Sequence, residues 1–201
     1  MAPSLPAVPL LLALVLGIAL PAQAYDQLDY CQPPKICPQF TRIATNEMYE
    51  ERLYESSVWM CTVGDATDPI AAMKATMAVI NYRNQQSWLQ VVKIDDNTWP
   101  SLVKVKQGEK GQEFSLCWLV PPGVTLSSSG QVTVETLLMA TMFVRSFEGN
   151  PSFRSSQENA QKLMQDLADE GECFNRAVFY AANYDKDISV THHNEIWVPQ
   201  D

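Results

Sequence analysis

The sequence predicts an α+β fold in which two β-α-β-β units close into a sheet or distorted barrel with a helix on each side. Two observations carry this. Segments of alternating or β-branched character surround two stretches of helical periodicity, and the order strand, helix, strand, strand occurs twice. A helix with one apolar stripe must lay that stripe on a sheet, so two such units are expected to share one sheet or barrel. The two halves share little sequence identity, so the duplication is one of pattern.

In chain order, Val8 to Leu20 reads VPLLLALVLGIAL and is followed by Ala22-Gln23-Ala24. A short apolar run before a small-x-small site is the pattern of a secretory signal peptide, although the preceding MAPSLPA holds no Lys or Arg. The expected organisation is a signal peptide over 1–24, a cysteine-containing arm over 25–39 and one domain over 40–201, exported to the extracellular space.

All five cysteines, Cys31, Cys37, Cys61, Cys117 and Cys173, follow the cleavage site, so disulfides are expected. Cys31 and Cys37 are spaced for a local clip of the arm and not as a C-x-x-C redox or zinc motif. Five is odd, which leaves at least one thiol unpaired within the chain, and Cys173 is read as structural or disulfide-bonded. The net charge of −9 argues against nucleic acid and anionic membranes as partners. Lys104, Lys106 and Lys110 form the one basic cluster and read as a solvated hairpin.

Tyr49 to Val63 is aromatic and β-branched, a long strand or a strand pair. Asp68 caps a helix with Pro69 at its first position, and Ile70, Met73, Met77 and Ile80 share one face before Asn84-Gln85-Gln86 ends the pattern. Trp88 to Ile94 is a strand. Glu113 to Val120 alternates, with Phe114, Leu116, Trp118 and Val120 on the face expected to be buried. Pro121-Pro122-Gly123 and Ser127 to Gly130 break the chain.

The second unit follows. Gln131 to Glu148 is strand-rich, and Ser155-x-x-Glu158 is a capping box. Ala160, Leu163, Met164 and Leu167 form an apolar stripe, Gly171 stops the helix, and two strands, Ala177 to Asn183 and Glu195 to Pro199, complete the unit. Trp59, Trp118 and Trp197 fall in strands and read as core.

Four phrases, YEERLYESSVW, MFVRSFEGNPS, FYAANYD and HHNEIWVPQ, occur in an order that resembles the SOUL heme-binding protein family from about Phe40 to Gln200. With its signal peptide and early cysteines the chain is most similar to the secreted, fish-type branch of that family. The resemblance implies a distorted antiparallel β-barrel flanked by two helices and an apolar groove that takes heme or a free porphyrin. Carried over by position, the groove involves Met73, Lys74, Met77 and Ile80 of the first helix and the loop from Asp185 to His193.

Flexible Met side chains accommodate a flat ring, and a rim lysine meets a propionate. The competing reading makes Met73, Met77 and Ile80 the core face of the helix and Lys74 a solvated lysine. Some family members carry a proposed axial histidine in an Arg-His-Tyr phrase, where this chain has Arg52-Leu53-Tyr54. His192 and His193 are the two histidines present and the candidate iron ligands, set against a reading as solvated loop residues.

No G-x-S-x-G, H-E-x-x-H or glycine-rich phosphate loop occurs, so the chain is not expected to be an enzyme. The expected function is a secreted, non-catalytic carrier or buffer with a tetrapyrrole as its small-molecule partner; any protein partner is left open. The alternatives are a secreted signalling protein of the same fold that has lost heme, and, behind it, a hydrolase of a small hydrophobic substrate.

Overall fold

The computed structural model describes residues 25–26, 28–65, 67–88, 97–109, 111–185 and 192–201. The expected signal peptide, Lys110, the expected strand after Trp88 and most of the loop after Asp185 lie outside them. Among the described residues the strands are β1 (Phe40–Thr45), β2 (Glu50–Tyr54), β3 (Ser57–Val63), β4 (Ser101–Gly108), β5 (Gly111–Leu119), β6 (Val132–Leu137), β7 (Ala140–Glu148), β8 (Val178–Asn183) and β9 (His193–Pro199). The helices are α1 (Pro69–Trp88) and α2 (Phe153–Asp169).

The strands form one antiparallel sheet in the order β1-β2-β7-β9-β8-β4-β5-β3-β6, curled into a half-barrel. The duplicated units are β3-α1-β4-β5 and β7-α2-β8-β9, and β8 joins them by pairing with β4. The α+β class and the two helices packed on a curled antiparallel sheet are as the pattern predicts, but both helices lie on one face of that sheet and not one on each side. β1, paired with β2, and β6, paired with β3, extend the sheet at its two edges.

Side chains alternate across a strand, which divides the core in two. Both helices pack on one face. There α2 lays Ala160, Leu163 and Leu167 against Phe143, Phe179, Ile196 and Val198, while α1 lays Val79 and Tyr82 against Met60, Val120 and Val132. On the other face Tyr54, Trp59, Leu102, Met142, Tyr180 and Trp197 form a second core, which the arm covers with Leu28 and Cys31. Cys31 is bonded to Cys37, and Cys61 to Cys117 across the β3–β5 pair.

Several local expectations need correction. β5 is buried on both faces in its second half, because Cys117 and Leu119 meet the arm-side core while Leu116 points to the helices. α1 continues through Asn84-Gln85-Gln86 to Trp88. The capping box of α2 lies one residue triplet earlier: Ser152 is the N-cap, its hydroxyl accepts from Ser155 N–H, and the Ser155 hydroxyl accepts from Ser152 N–H. Gly171 closes α2 as expected, with φ +77°. Cys173 is neither disulfide-bonded nor buried; its thiol is free and exposed.

The largest correction concerns α1. Its buried side chains are Ala75, Val79 and Tyr82, whereas Ile70 and Met73 are each 60% exposed and Met77 48%. Small residues set this rotation. A Cβ on Gly64, just after β3, would stand 2.9 Å from the Ala75 Cβ and 3.2 Å from Leu116 Cδ1, so helix and sheet meet where there is no room for more. Gly64→Ala is expected to force the helix outward and cost about 1–3 kcal/mol, read as a lower urea midpoint with an unchanged m-value.

Candidate functional site

The start of β9 distributes its side chains between the two faces. His193, Glu195 and Trp197 point to the arm side, and Asn194, Ile196 and Val198 to the helix side. The two sides have opposite chemistry.

On the arm side Glu195 is fully buried. Its Oε1 accepts from Arg52 Nη1 at 3.0 Å and from the Tyr30 hydroxyl, and lies 3.3 Å from His193 Nε2. Its Oε2 accepts from Trp197 Nε1 at 2.7 Å and Tyr184 OH at 3.0 Å. Burial pushes the carboxyl pKa up, but the His193 hydrogen bond, the Arg52 charge and the Tyr30 and Trp197 donors outweigh it and hold it down at about 2. Tyr30 and Tyr184 shift upward, through burial first and the Glu195 charge second. Glu195 is thus a charged anchor at neutral pH with its acceptors in use, and His193, stacked on Tyr30 with ring centroids 3.5 Å apart, is bound into it.

On the helix side a cavity of about 190 Å³ opens between α1 and α2 over β4 and β8. Ala72, Val105, Leu116, Phe153 and Phe179 make its walls apolar, and Asn183 and Asn194, on either side of the β8–β9 connection, also line it. His192 is 7% exposed, and its Nδ1 is buried without a hydrogen-bond partner. The reading of the two histidines as solvated loop residues is therefore overturned: one is buried, the other is committed to Glu195.

The outer face of α1 supplies the other unusual surface. Ile70, Met73, Met77 and Trp88 fall on the side opposite Ala75, Val79 and Tyr82, and Ile80 flanks them half-buried. Lys74 is exposed on the same helix. The structure thus leaves Met73, Met77 and Lys74 open to solvent, which overturns the core-face reading for both methionines. Among the described residues no group of three or more His, Cys, Asp or Glu is placed to hold a metal ion, and no helix is long and apolar enough to cross a membrane.

A family model described as SOUL heme-binding protein matches residues 35–199. A Mus musculus protein, heme-binding protein 2, is 28% identical over 186 residues, which span 89% of this chain and 87% of that protein. The Homo sapiens heme-binding protein 2 is 27% identical over 162 residues, 76% of this chain and 78% of the relative. Among solved structures, a hydrolase from Listeria innocua superposes with a TM-score of 0.55 at 12% identity, covering 78% of this chain and 93% of that one. At that identity the likeness is one of fold alone.

Sequence reasoning missed the Glu195 cluster, whose members are scattered from Tyr30 to Trp197. Arg52→Met is expected to cost about 3–5 kcal/mol, because it leaves a buried carboxylate unpaired, and adding Glu195→Gln should recover part of the loss in urea unfolding. The folded-state pKa of Glu195 is depressed, so its contribution is complete above about pH 4.5 and is lost as the pH falls toward 2. The Glu195→Gln chain should accordingly show a flatter stability profile across that window.

Proposed function

Because the chain belongs to the SOUL heme-binding protein family, we propose that it binds heme or a free porphyrin against the outer face of α1, as a secreted and non-catalytic carrier or buffer. The observation that carries this reading is the unpartnered apolar stripe of Ile70, Met73 and Met77. A surface helix ordinarily turns polar residues to water, and a rimmed apolar patch on it marks a contact site.

The residues present suit the ligand. Met73 and Met77, four apart on the helix, offer polarisable and adaptable side chains to a flat macrocycle, and Ile80 extends the contact. Lys74 supplies a positive charge for a propionate. Of the two histidines, His192 is the candidate iron ligand, since it keeps a ring nitrogen without a partner while His193 is held by Glu195 and Tyr30; that nitrogen is buried, so ligation requires the imidazole to turn outward. Heme supplies a ferric iron that takes a neutral imidazole nitrogen; a free porphyrin would rely on the helix face alone. Leu53, where some members of the family carry a proposed axial histidine, favours the second reading, a secreted signalling protein of this fold without heme.

Titration of hemin into the chain lacking residues 1–24, followed by the Soret band and tryptophan quenching, is expected to saturate near one equivalent. Non-saturating, detergent-sensitive uptake would favour the signalling reading. Met73→Asp with Met77→Asp should weaken binding by about tenfold or more, given roughly 1.5–3 kcal/mol for each buried apolar side chain. His192→Ala should alter the Soret spectrum, and His193→Ala should leave it unchanged in a folded protein.

A further inference from the structure

A second groove lies beside α2, away from the residues that the tetrapyrrole reading uses. Val105 and Gln107, two apart on β4, share a face of the sheet; Gln107 stands directly opposite Gln112 of β5, and Val105 opposite Phe179 of β8. Gln157 and Gln161, four apart on α2, share a face of that helix. The two glutamine pairs line one cavity of about 130 Å³, whose wall also includes Val105, Phe179 and Arg176.

The polar groups of this groove are uncommitted. Among the described residues none of the four glutamine side-chain amides has a hydrogen-bond partner and Arg176 is in no ion pair, its guanidinium lying 4.4 Å from the centroid of the Phe174 ring. No carboxylate lines the cavity, although the chain carries 23 Asp and Glu and a net charge of −9. Each amide offers two donors and an acceptor, and the guanidinium offers a planar fork of donors. Amides of this kind match hydroxyl groups, which likewise donate and accept, and the fork matches one carboxylate. A hydrocarbon, a phenol or a fatty acid would leave most of these groups unmatched. The volume falls below the roughly 300–1,000 Å³ of pockets that enclose drug-sized ligands, so the groove holds one ring and not a chain of them.

We propose that this groove binds an acidic monosaccharide of the hexuronate class, with its carboxylate on Arg176, its hydroxyls on the Gln107–Gln112 and Gln157–Gln161 amides, and the C–H face of its ring on Phe179 and Val105. The site uses neither α1 nor a histidine, so it stands apart from tetrapyrrole binding.

The test is a titration of the 15N-labelled protein, expressed from its full sequence, with sodium glucuronate, glucose and sodium acetate in turn, followed by backbone and side-chain amide signals. Glucuronate is expected to give saturable shifts of the four glutamine side-chain amides and of the Ala177 backbone. Glucose, which lacks the carboxylate, and acetate, which lacks the hydroxyls, are each expected to bind weaker by about tenfold or more. Arg176→Gln should bring glucuronate down to the level of glucose and leave glucose unchanged. Gln157→Ala with Gln161→Ala, on the outer surface of a helix where alanine is the best helix former, should abolish the binding of both sugars. Non-saturating glucuronate shifts, shifts that map elsewhere, glucose or acetate binding as tightly as glucuronate, or undiminished binding by the folded double variant would each overturn the proposal. If Arg176→Gln disturbs its contact with Phe174, the comparison of glucuronate with glucose on the unaltered protein decides the role of the charge, and hemin titration of the same sample reports on the tetrapyrrole reading separately.

Discussion

The buried carboxylate of Glu195 is the constraint around which the rest of the molecule is organised. A charge taken fully out of water is tolerated only when paired and hydrogen-bonded on all sides. Meeting that requirement takes Arg52 from β2, Tyr184 from just beyond β8, Trp197 from β9 itself and Tyr30 from the arm. One anion thus ties β2, β9 and the residue after β8 together and makes the arm part of the fold. The Cys31–Cys37 clip lies immediately after Tyr30 and shapes the segment that presents it. The same cluster decides what the histidines can do, because His193 is drawn into it and His192 keeps a ring nitrogen without a partner.

The two helices occupy equivalent places in a duplicated pattern and have diverged in what they show to water. α2 is amphipathic in the ordinary way, with Leu163 and Leu167 inside and Lys162, Gln165 and Asp169 outside. α1 is apolar on both sides. Its inward face uses alanines beside Gly64, so the helix sits close to the sheet and its larger apolar side chains, Ile70, Met73 and Met77, remain outside. The binding surface therefore belongs to one repeat, while the other repeat contributes packing and one wall of the inner cavity.

This explains which features were legible in the sequence. The β-α-β-β order of the second unit, the stripe of α2 and the Gly171 stop are encoded within a few residues, so periodicity and turn chemistry reveal them, whereas in the first unit the strand that pairs with β5 is Ser101–Gly108, which the pattern did not mark. The stripe of α1 was equally visible, but spacing says only that residues share a face and not whether that face turns inward. Small residues at 71, 72 and 75 and the glycine across from them decided it, and their contact is tertiary. The Glu195 cluster left no local signal at all: Glu195 stands between Asn194 and Ile196 in a strand, and its partners come from sites up to 165 positions away. The capping box shifted because Ser152 and Ser155 form the same hydrogen-bonded pair one step upstream of Ser155 and Glu158.

The asymmetry between the faces also bears on how a ligand reaches this protein. The arm side is closed by Tyr30, Leu28 and a disulfide, and its polar groups are already paired with one another. Opening it would strand a buried charge, so a ligand arriving there would have to supply several kcal/mol before making any contact. The helix side presents unpartnered apolar surface on α1 and an apolar cavity between the helices with Asn194 on its wall. The β3–β5 pair beneath α1 is cross-linked by Cys61 and Cys117, so the platform is ordered in advance of the ligand and little further ordering is required. Exposed apolar surface of this kind invites self-association, and the net charge of −9 opposes it by keeping copies of the chain apart.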